Sequence, residues 1–340
     1  MTPRSARALK RADVDDAIKA ILEKRRAGAA SRMYEMLEYF FGFRDAALNL
    51  VSGTQSGKRY RPELCLIIAG GYGAEEEKAL TAALAIELFH NFTLIHDDIE
   101  DRDEMRRGRP TLWKAFGVPR AINAGDALSL IAYETGATLI PTARDVLFSA
   151  FTEVIEGQHL DFELASQAIG SETVSRACYM ESSEKKTGAL VGAAAEIAGI
   201  CAGQNENECA LLRTYGRSLG TAHQLIDDYR SVWSSSSETG KDAHSDIREH
   251  KRTLPFFFAY EETAQKARLA ELYSLDRQLS DAEINKARTL IDATSARSRV
   301  LEEIRTYADR CRKAAEALAL PADIRATLIE LVNELVPEAR

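Results

Sequence analysis

The feature that most constrains this chain is a run, residues 79–95, that is apolar on nearly every side of an α-helix. Within it Ala82, Ile86 and Phe89 recur at spacings of three and four, the period of a helix. A helix that is apolar nearly all round is buried on most sides, in the middle of a bundle. The same period recurs at about residues 121–140, 145–168, 173–200, 207–230, 256–274, 281–296, 299–318 and 322–336. Alternating β-branched runs with Asn-Gly or Asp-Gly turns are missing, so the pattern predicts an all-α protein of about ten or more helices.

The composition bounds the domain organisation and the kind of partner. Only 8 prolines and 20 glycines occur in 340 residues, and no Pro/Gly-rich linker divides the chain. We therefore expect one domain over residues 1–340, with its motif-bearing body at about 50–260. Acidic residues outnumber basic ones by 52 to 44, and this net charge of −8 disfavours nucleic acid as a partner.

Apolar runs and cysteines bear on the location of the protein. No stretch approaches the roughly 18 uninterrupted apolar residues that a transmembrane segment needs. Five cysteines are scattered without a CxxC pair, which argues against a disulfide scaffold and against a Cys-based zinc site. The sequence therefore predicts a cytoplasmic protein without a transmembrane segment.

Two acidic clusters follow apolar helices. Asp97 and Asp101 are four residues apart, so both carboxylates project from one helical face, with Asp98 beside them. Asp227 and Asp228 end another apolar helix, 130 residues later. Each cluster alone could be an ordinary charged helix end. Because Mg²⁺ is held by one or two carboxylates together with water and phosphate, the two clusters together favour a shared metal site.

Basic residues gather in several short segments. They lie at residues 57–62, 106–111, 185–188, 240–241 and 251–255. Each segment alone could be surface charge, but together they suit an acidic protein that holds phosphates, since Arg and Lys both bind phosphate. Residues 53–58 resemble a P-loop only superficially, because three residues separate the glycines instead of four and Arg59 stands where Ser or Thr is required.

Read in order, these segments resemble the trans-isoprenyl diphosphate synthase (polyprenyl synthetase) family, from about Gly57 to Pro255. Residues 57–62 are similar to the family's GKRxRP segment, and residues 97–101 to its first aspartate-rich motif, DDxxD. Further matching landmarks are His90, Arg106-Arg107-Gly108, Asn123 to Asp126, Gly157 to Asp161, Lys186-Thr187-Gly188, Gln224 to Asp228, Gly240-Lys241 and Lys251 to Pro255.

The resemblance implies an all-α, isoprenoid synthase-type bundle around a central cavity, and a homodimer. It implies that isopentenyl diphosphate condenses head-to-tail with an allylic diphosphate (dimethylallyl, geranyl or farnesyl). The implied cofactor is Mg²⁺, three ions per site. This chemistry suits the residues, because ionising an allylic C–O bond requires the charge of the leaving diphosphate to be neutralised in a cavity that excludes water.

The resemblance also assigns roles to residues. The implied magnesium ligands are Asp97, Asp101 and Asp227, with Asp98 supporting them. The residues implied to bind the allylic diphosphate are Arg106, Lys186, Lys241 and Lys251, with Thr187 and Gln224 near the reacting carbon. The residues implied to bind isopentenyl diphosphate are Lys58, Arg61, His90 and Arg107. Without the motif, His90 would be read as a buried core histidine.

Two departures keep other functions open. Ser231 and Ser235 stand where the family often has aspartates, which predicts weaker metal binding at the second motif. The sequence from Asp227 to Ser231 partly resembles the metal triad of class I terpene cyclases, which share the fold. The final acid of that triad would fall at Ser235 and is absent. A non-catalytic subunit of a heteromeric prenyl synthase is the other alternative, although such subunits typically lose the first DDxxD.

The chain length of the product depends on the residues that precede the first motif. Phe92 lies five residues before Asp97, about 7.5 Å along a helix axis, and Phe89 lies about one turn deeper. In the family, a bulky residue at the first of these positions followed by a small one, here Thr93, suggests a medium chain. We expect a C20 product, geranylgeranyl diphosphate, with C15 next. Both phenylalanines could instead be ordinary core residues.

Overall fold

The computed structural model describes residues 3–51, 57–234 and 244–336, with side chains from residue 12 onward. Helices α1 to α5 are Pro3–Arg25, Ser31–Phe41, Tyr60–Gly71, Glu76–Glu100 and Leu112–Phe116. Helices α6 to α10 are Val118–Gly136, Pro141–Ser166, Arg176–Ser183, Ala189–Cys201 and Glu206–Trp233. Helices α11 to α16 are Ser245–Arg248, Leu254–Glu262, Lys266–Leu272, Asp281–Asp292, Ala296–Ala317 and Ala322–Leu335. The all-α prediction is confirmed.

The described part of the chain also contains a short two-stranded hairpin, which the sequence did not predict. Strands β1 (Met105–Arg106) and β2 (Arg109–Pro110) pair antiparallel. Arg107 and Gly108 join them, both with positive φ (52° and 74°), the backbone that a type I′ hairpin turn requires. The sequence did not signal this turn because Arg takes the place that Asn or Asp usually fills.

The helices form two compact units, Met1–Phe148 with Ala194–Cys209, and Ser149–Ala193 with Ala210–Arg340. In the first unit α4 packs against α3 and α6. Its residues Ile86, Leu88 and Ile95 are fully buried, as the all-round apolar pattern predicts. Residues 76–100 are also long and apolar enough to cross a membrane, but 61% of their most apolar window is buried, and a core helix passes the same test.

In the second unit, a long helical segment is interrupted. A π-helical turn, Glu184–Gly188, joins α8 to α9 where the sequence predicts one continuous helix over 173–200. Helix α10 lies close to this turn, since a Cβ on Gly220 would stand 2.8 Å from the Thr187 carbonyl oxygen. The predicted segment 256–274 is likewise two helices, α12 and α13, separated at Thr263 to Gln265.

Candidate active site

In the first unit, the last turn of α4 presents its three aspartates differently. Asp97 is half-buried, Asp98 is buried and Asp101 is exposed. The backbone N–H of Asp101 donates to the carbonyl of Asp97 (2.8 Å), so the helical turn is intact at the end of the helix. The carboxylates of Asp97 and Asp101 therefore lie on one helical face and can be reached from solvent.

Asp98 points into the protein, where it meets the hairpin. Arg106 Nε donates to Asp98 Oδ1 (2.6 Å). Asp98 Oδ2 is buried and accepts no hydrogen bond from any described residue. Burial raises the pKa of Asp98 to about 6, against the opposing effect of the Arg106 charge. Asp98 therefore orders the hairpin, and Asp97 and Asp101 present the carboxylates that can be reached from solvent.

The accessible carboxylates fit a magnesium ion that is shared with phosphate. Across the ranges that the structure describes, no three His, Cys, Asp or Glu side chains gather to hold a metal by themselves. Mg²⁺ does not need such a cage, because it is usually bound through one or two carboxylates, waters and substrate phosphates. Asp97 and Asp101 supply that number of hard oxygen ligands from consecutive turns.

A cluster of cations lies in the same unit. Arg61 Nη1 lies 3.0 Å from His90 Nε2. Because a guanidinium only donates, His90 Nε2 accepts and the ring proton is assigned to Nδ1. Burial and the neighbouring arginines, Arg61 and Arg107 first, hold the pKa of His90 well below its usual range. The imidazole is neutral, and its Nδ1–H is a donor suited to an anion.

Arg107 belongs to this cluster. Burial and the Arg59 charge lower the pKa of Arg107 to about 10, so it remains a cation at neutral pH. Gly57 makes room for it, since a Cβ there would stand 2.6 Å from Arg107 Nη2. Lys58, next in the chain, is exposed. The four residues predicted to bind isopentenyl diphosphate are therefore all hydrogen-bond donors. They come from at or just before the start of α3 (Lys58 and Arg61), from α4 (His90) and from the hairpin turn (Arg107).

Arg106 and Arg107 also line a small pocket of about 10 Å³, which has room for about one water molecule. Asp98 and Arg109 contribute to it, and Tyr39 forms part of its wall. Arg107 Nη1 and Arg109 Nε are buried there without a hydrogen-bond partner among the described residues. The pocket therefore offers donors to a small polar group.

In the second unit, the end of α10 carries the other acidic cluster. Asp227 is exposed, with its Oδ2 3.3 Å from His223 Nδ1. Asp228 is buried: Gln224 Nε2 donates to its Oδ1 (2.9 Å) and the Tyr179 hydroxyl donates to its Oδ2. Burial, with the nearby Asp246 charge, raises the pKa of Asp228. As at the end of α4, the first aspartate is accessible and the second is enclosed.

The π-helical turn places Lys186 and Thr187. Thr187 Oγ1 donates to Gln224 Oε1 (3.0 Å), which continues the chain of bonds to Asp228. Lys186 Nζ donates to Asp161 Oδ2 (2.7 Å). The turn can approach α7 because Gly157 has no side chain, and a Cβ there would clash with the Lys186 backbone. Such π-turns recur at functional sites.

The remaining predicted residues are placed less fully. Lys251 is exposed, with Nζ 3.1 Å from Glu249 Oε2. Lys241 and Ser235 lie outside the described residues. Ser231 Oγ lies 2.8 Å from the Asp228 carbonyl oxygen and 2.5 Å from Asp246 Oδ2, so its single proton can be donated to either one. Asp246 therefore places a carboxylate beside Ser231, the residue that stands where the family usually has an aspartate.

Comparison with known proteins gives a consistent result. The polyprenyl synthetase family profile matches residues 45–291. The chain belongs to the polyprenyl synthetase family. It is 31% identical over 312 residues to a (2E,6E)-farnesyl diphosphate synthase of Mycobacterium tuberculosis, covering 89% of this chain and 86% of that one. It is 36% identical over 283 residues to a short chain isoprenyl diphosphate synthase of Methanothermobacter thermautotrophicus, covering 79% and 86%.

Solved structures of this family share the fold. A geranylgeranyl pyrophosphate synthetase from Pyrococcus horikoshii superposes with a TM-score of 0.84 at 29% identity, covering 98% of each chain. Membership confirms the sequence-based prediction of a prenyl-transferring enzyme, since members of this family act on isoprenyl diphosphates and depend on metal.

The phenylalanines that precede the first motif pack on one another. Phe89 is buried and Phe92 is half-buried, and their ring centroids lie 5.3 Å apart. The Phe92 ring also meets the ring of His96, at 4.8 Å. The chain-length role predicted for the two residues thus falls on one pair of rings in edge-to-face contact along α4.

Sequence reasoning missed several residues that hold the site. Tyr179 and Asp246 have no local pattern that marks them, because their partners lie 49 and 15 residues away. Glu87 could have been found, since it is a lone acid inside an apolar helix. Its burial at 3% exposure requires a cationic partner, and Arg59 provides one.

Proposed function

We propose that this enzyme condenses isopentenyl diphosphate with an allylic diphosphate, head to tail. The observation that best supports the proposal is the cluster of Arg61, His90 and Arg107, in the same unit as the accessible pair Asp97 and Asp101. A terpene cyclase binds one diphosphate and has no use for a second basic site. An elongating enzyme needs both a metal-binding end and a separate site for isopentenyl diphosphate.

In this proposal Asp97, Asp101 and Asp227 are the ligands of magnesium, three ions per site. Bound Mg²⁺ would neutralise the charge that develops on the departing diphosphate. Arg106, Lys186, Lys241 and Lys251 would bind the allylic diphosphate, and Thr187 and Gln224 would lie near the reacting carbon. Because Gln224 donates to Asp228 and accepts from Thr187, its amide is held in one orientation.

The isopentenyl diphosphate site would use permanent charge and one neutral donor. Arg61 and Arg107 are cations that can bind phosphate through two N–H groups each, and Lys58 adds an exposed point charge. His90 would donate through Nδ1–H without adding charge. No dedicated base is required, because the departed diphosphate can accept the proton that is lost after coupling.

One assay tests the reaction and its alternatives. Purified protein is incubated with Mg²⁺, labelled isopentenyl diphosphate and each of the C5, C10 and C15 primers, and the products are sized. Incorporation of label supports the elongase. Product formed from an allylic diphosphate without isopentenyl diphosphate would favour the cyclase, and no turnover with any primer would favour a non-catalytic subunit.

We propose a C20 product, with C15 as the alternative. The relatives named above include both a farnesyl and a geranylgeranyl synthase, and the Phe89–Phe92 edge-to-face pair lies along α4 before the first motif. Phe92→Ala should lengthen the product, because it removes the bulk nearest the reacting end. An unchanged product distribution would show that another residue limits the chain.

A homodimer would use the exposed apolar face of α6. Ile122, Leu130 and Tyr133 lie exposed on it at helical spacing. Exposed apolar residues in a row are typical of interfaces between protein chains. Leu130→Glu should convert a dimer to a monomer in light scattering, whereas an unchanged mass would place the interface elsewhere. We further propose that residues 1–340 function as one catalytic domain in the cytoplasm, which cell fractionation would test.

A further inference from the structure

The segment 57–61 contains one residue that cannot bind substrate. Arg59 lies between the exposed residues Lys58 and Tyr60, yet it is only 2% exposed. Its backbone is left-handed (φ 54°), and its carbonyl accepts the first helical hydrogen bond of α3, from the Glu63 N–H (3.0 Å). A non-glycine residue in this conformation needs support from its surroundings.

Two buried carboxylates provide that support. Asp15 of α1 accepts from Arg59 Nε (2.9 Å) and lies 2.8 Å from Nη2. Glu87 of α4 accepts from Arg59 Nη1 (2.5 Å) through the same oxygen that accepts from Asn91 Nδ2 (2.7 Å). The guanidinium also lies 5.4 Å from the centroid of the Phe41 ring. Arg59 Nε and Nη1 are therefore held by hydrogen bonds from two helices, and Nη2 has the ion pair with Asp15 but no hydrogen bond among the described residues.

The two carboxylates do not have the same surroundings. Glu87 interacts electrostatically with Arg61 and Arg107 in addition to its ion pair with Arg59. Asp15 contacts Arg59 alone among these cations in the described structure, and it belongs to a helix that precedes residues 45–291. Asp15 is therefore the cleaner position at which to release Arg59 without disturbing the other arginines.

We propose that Asp15 and Glu87 are positioning residues that hold Arg59 in place and thereby set Lys58 and Arg61 for isopentenyl diphosphate. The inference rests on the proposed function of the basic cluster. Fixing the Arg59 side chain fixes the peptide groups on both of its sides, and Lys58 and Arg61 are one and two residues away. The N-terminal helix thus takes part in binding substrate although none of its residues touches it.

The test compares two neighbours on α1. Asp15→Asn removes the carboxylate charge that pairs with Arg59, while Asp16→Asn makes the same chemical change at an exposed position. We expect Asp15→Asn to raise KM for isopentenyl diphosphate by about tenfold, while kcat and KM for the allylic primer change by less than about twofold. Asp16→Asn should match the wild type. Equal KM values for both variants would overturn the proposal.

A second readout does not depend on turnover. Hydrogen exchange of the amides in residues 57–63 should accelerate in Asp15→Asn and not in Asp16→Asn. Should the wild-type enzyme fail to use isopentenyl diphosphate at all, the proposed function falls, yet faster exchange would still show that Asp15 holds this segment. Unchanged exchange would overturn the positioning role whatever the activity.

A double variant covers the case in which Asp15→Asn alone does not fold. Asp15→Asn with Arg59→Gln removes both members of the Asp15–Arg59 ion pair, so Arg59 is not left facing a neutral Asn, and Glu87 keeps the hydrogen bond from Asn91 Nδ2. The KM for isopentenyl diphosphate should rise as much as in Arg59→Gln alone, because Asp15 acts through Arg59. Effects of Arg59→Gln and Asp15→Asn that multiply would show that Asp15 acts by another route.

Discussion

The ends of α4 and α10 look alike in sequence, but they neutralise their buried aspartates differently. In both, the first aspartate of the pair is accessible and the second is enclosed. Asp98 is met by a cation, Arg106, whereas Asp228 is met by the neutral donors Tyr179 and Gln224. The comparison teaches that the repeated Asp-Asp pattern divides its two residues: the first leaves its carboxylate accessible, as the proposed ligand must be, and the second holds neighbouring side chains.

The cations follow a similar division. Arg59 of the first unit is buried and held by two buried carboxylates, and Arg61 and Arg107 are half-buried, with Arg61 held against His90. Lys186 and Lys251 of the second unit have solvent-accessible ion pairs, with Asp161 and Glu249. A solvated lysine can exchange its partner for a phosphate at small cost, whereas a buried arginine is ordered before substrate arrives.

Removing an accessible aspartate should have the largest effect. Asp97→Ala is expected to lower kcat by about 10²–10³-fold, since it removes part of the electrostatic stabilisation of the leaving group. Asp227→Ala should act in the same direction. Glu100→Gln, an exposed acid in the same turn as Asp97, is the control. Steady-state rates at several Mg²⁺ concentrations measure the effect, and a nearly normal rate for Asp97→Ala would contradict the metal role.

Replacing the enclosed aspartates should separate the two helix ends. Asp98→Asn is expected to lower the free energy of unfolding by about 1.5–3 kcal/mol, because Arg106 loses a charged partner. Asp228→Asn should cost less than about 1 kcal/mol, because the raised pKa of Asp228 means that burial already disfavours its charge. Denaturant unfolding measures both. Equal losses of unfolding free energy in the two variants would mean that the two helix ends stabilise their buried aspartates in the same way.

Conservative exchange of cations should distinguish the buried cluster from the exposed one. Arg61→Lys is expected to raise KM for isopentenyl diphosphate by about tenfold, since Lys cannot reproduce the planar donor that meets His90. Lys186→Arg should change KM for the allylic primer by less than about threefold, because an exposed side chain can adjust. If Lys186→Arg proved the more damaging variant, the exposed cluster would be the more ordered of the two.

The smallest expected effect is a change in pH dependence. Since the pKa of His90 is held below that of the unfolded chain, the folded state binds fewer protons, and His90 disfavours folding as the pH falls below about 6.5. His90→Gln should remove up to about 1.4 kcal/mol of this loss per pH unit between pH 6.5 and 5. Unfolding curves of the wild type, His90→Gln and the exposed His159→Gln would show it. Parallel pH profiles would argue against a neutral His90.

The sequence predicted the helices and the aspartates at their ends better than the residues that orient them. Helix α4 was predictable because its apolar residues leave no solvent face, and Asp97 and Asp101 because their spacing matches one helical turn. The Arg107-Gly108 turn was not predictable from the sequence, since it depends on an unusual backbone conformation of an arginine. The Asp15–Arg59 contact joins residues 44 positions apart, and no local pattern reports such a distance.

The π-helical turn at Glu184–Gly188 has a consequence for how this chain tolerates change. It contains one more residue than an α-helix would accommodate in the same stretch. Deleting Lys185 would let a regular helix re-form, and Lys186 and Thr187 would lose the widened turn that sets the directions of their side chains. The sequence in this stretch can therefore vary by substitution, but its length is fixed by the direction in which Lys186 and Thr187 must face.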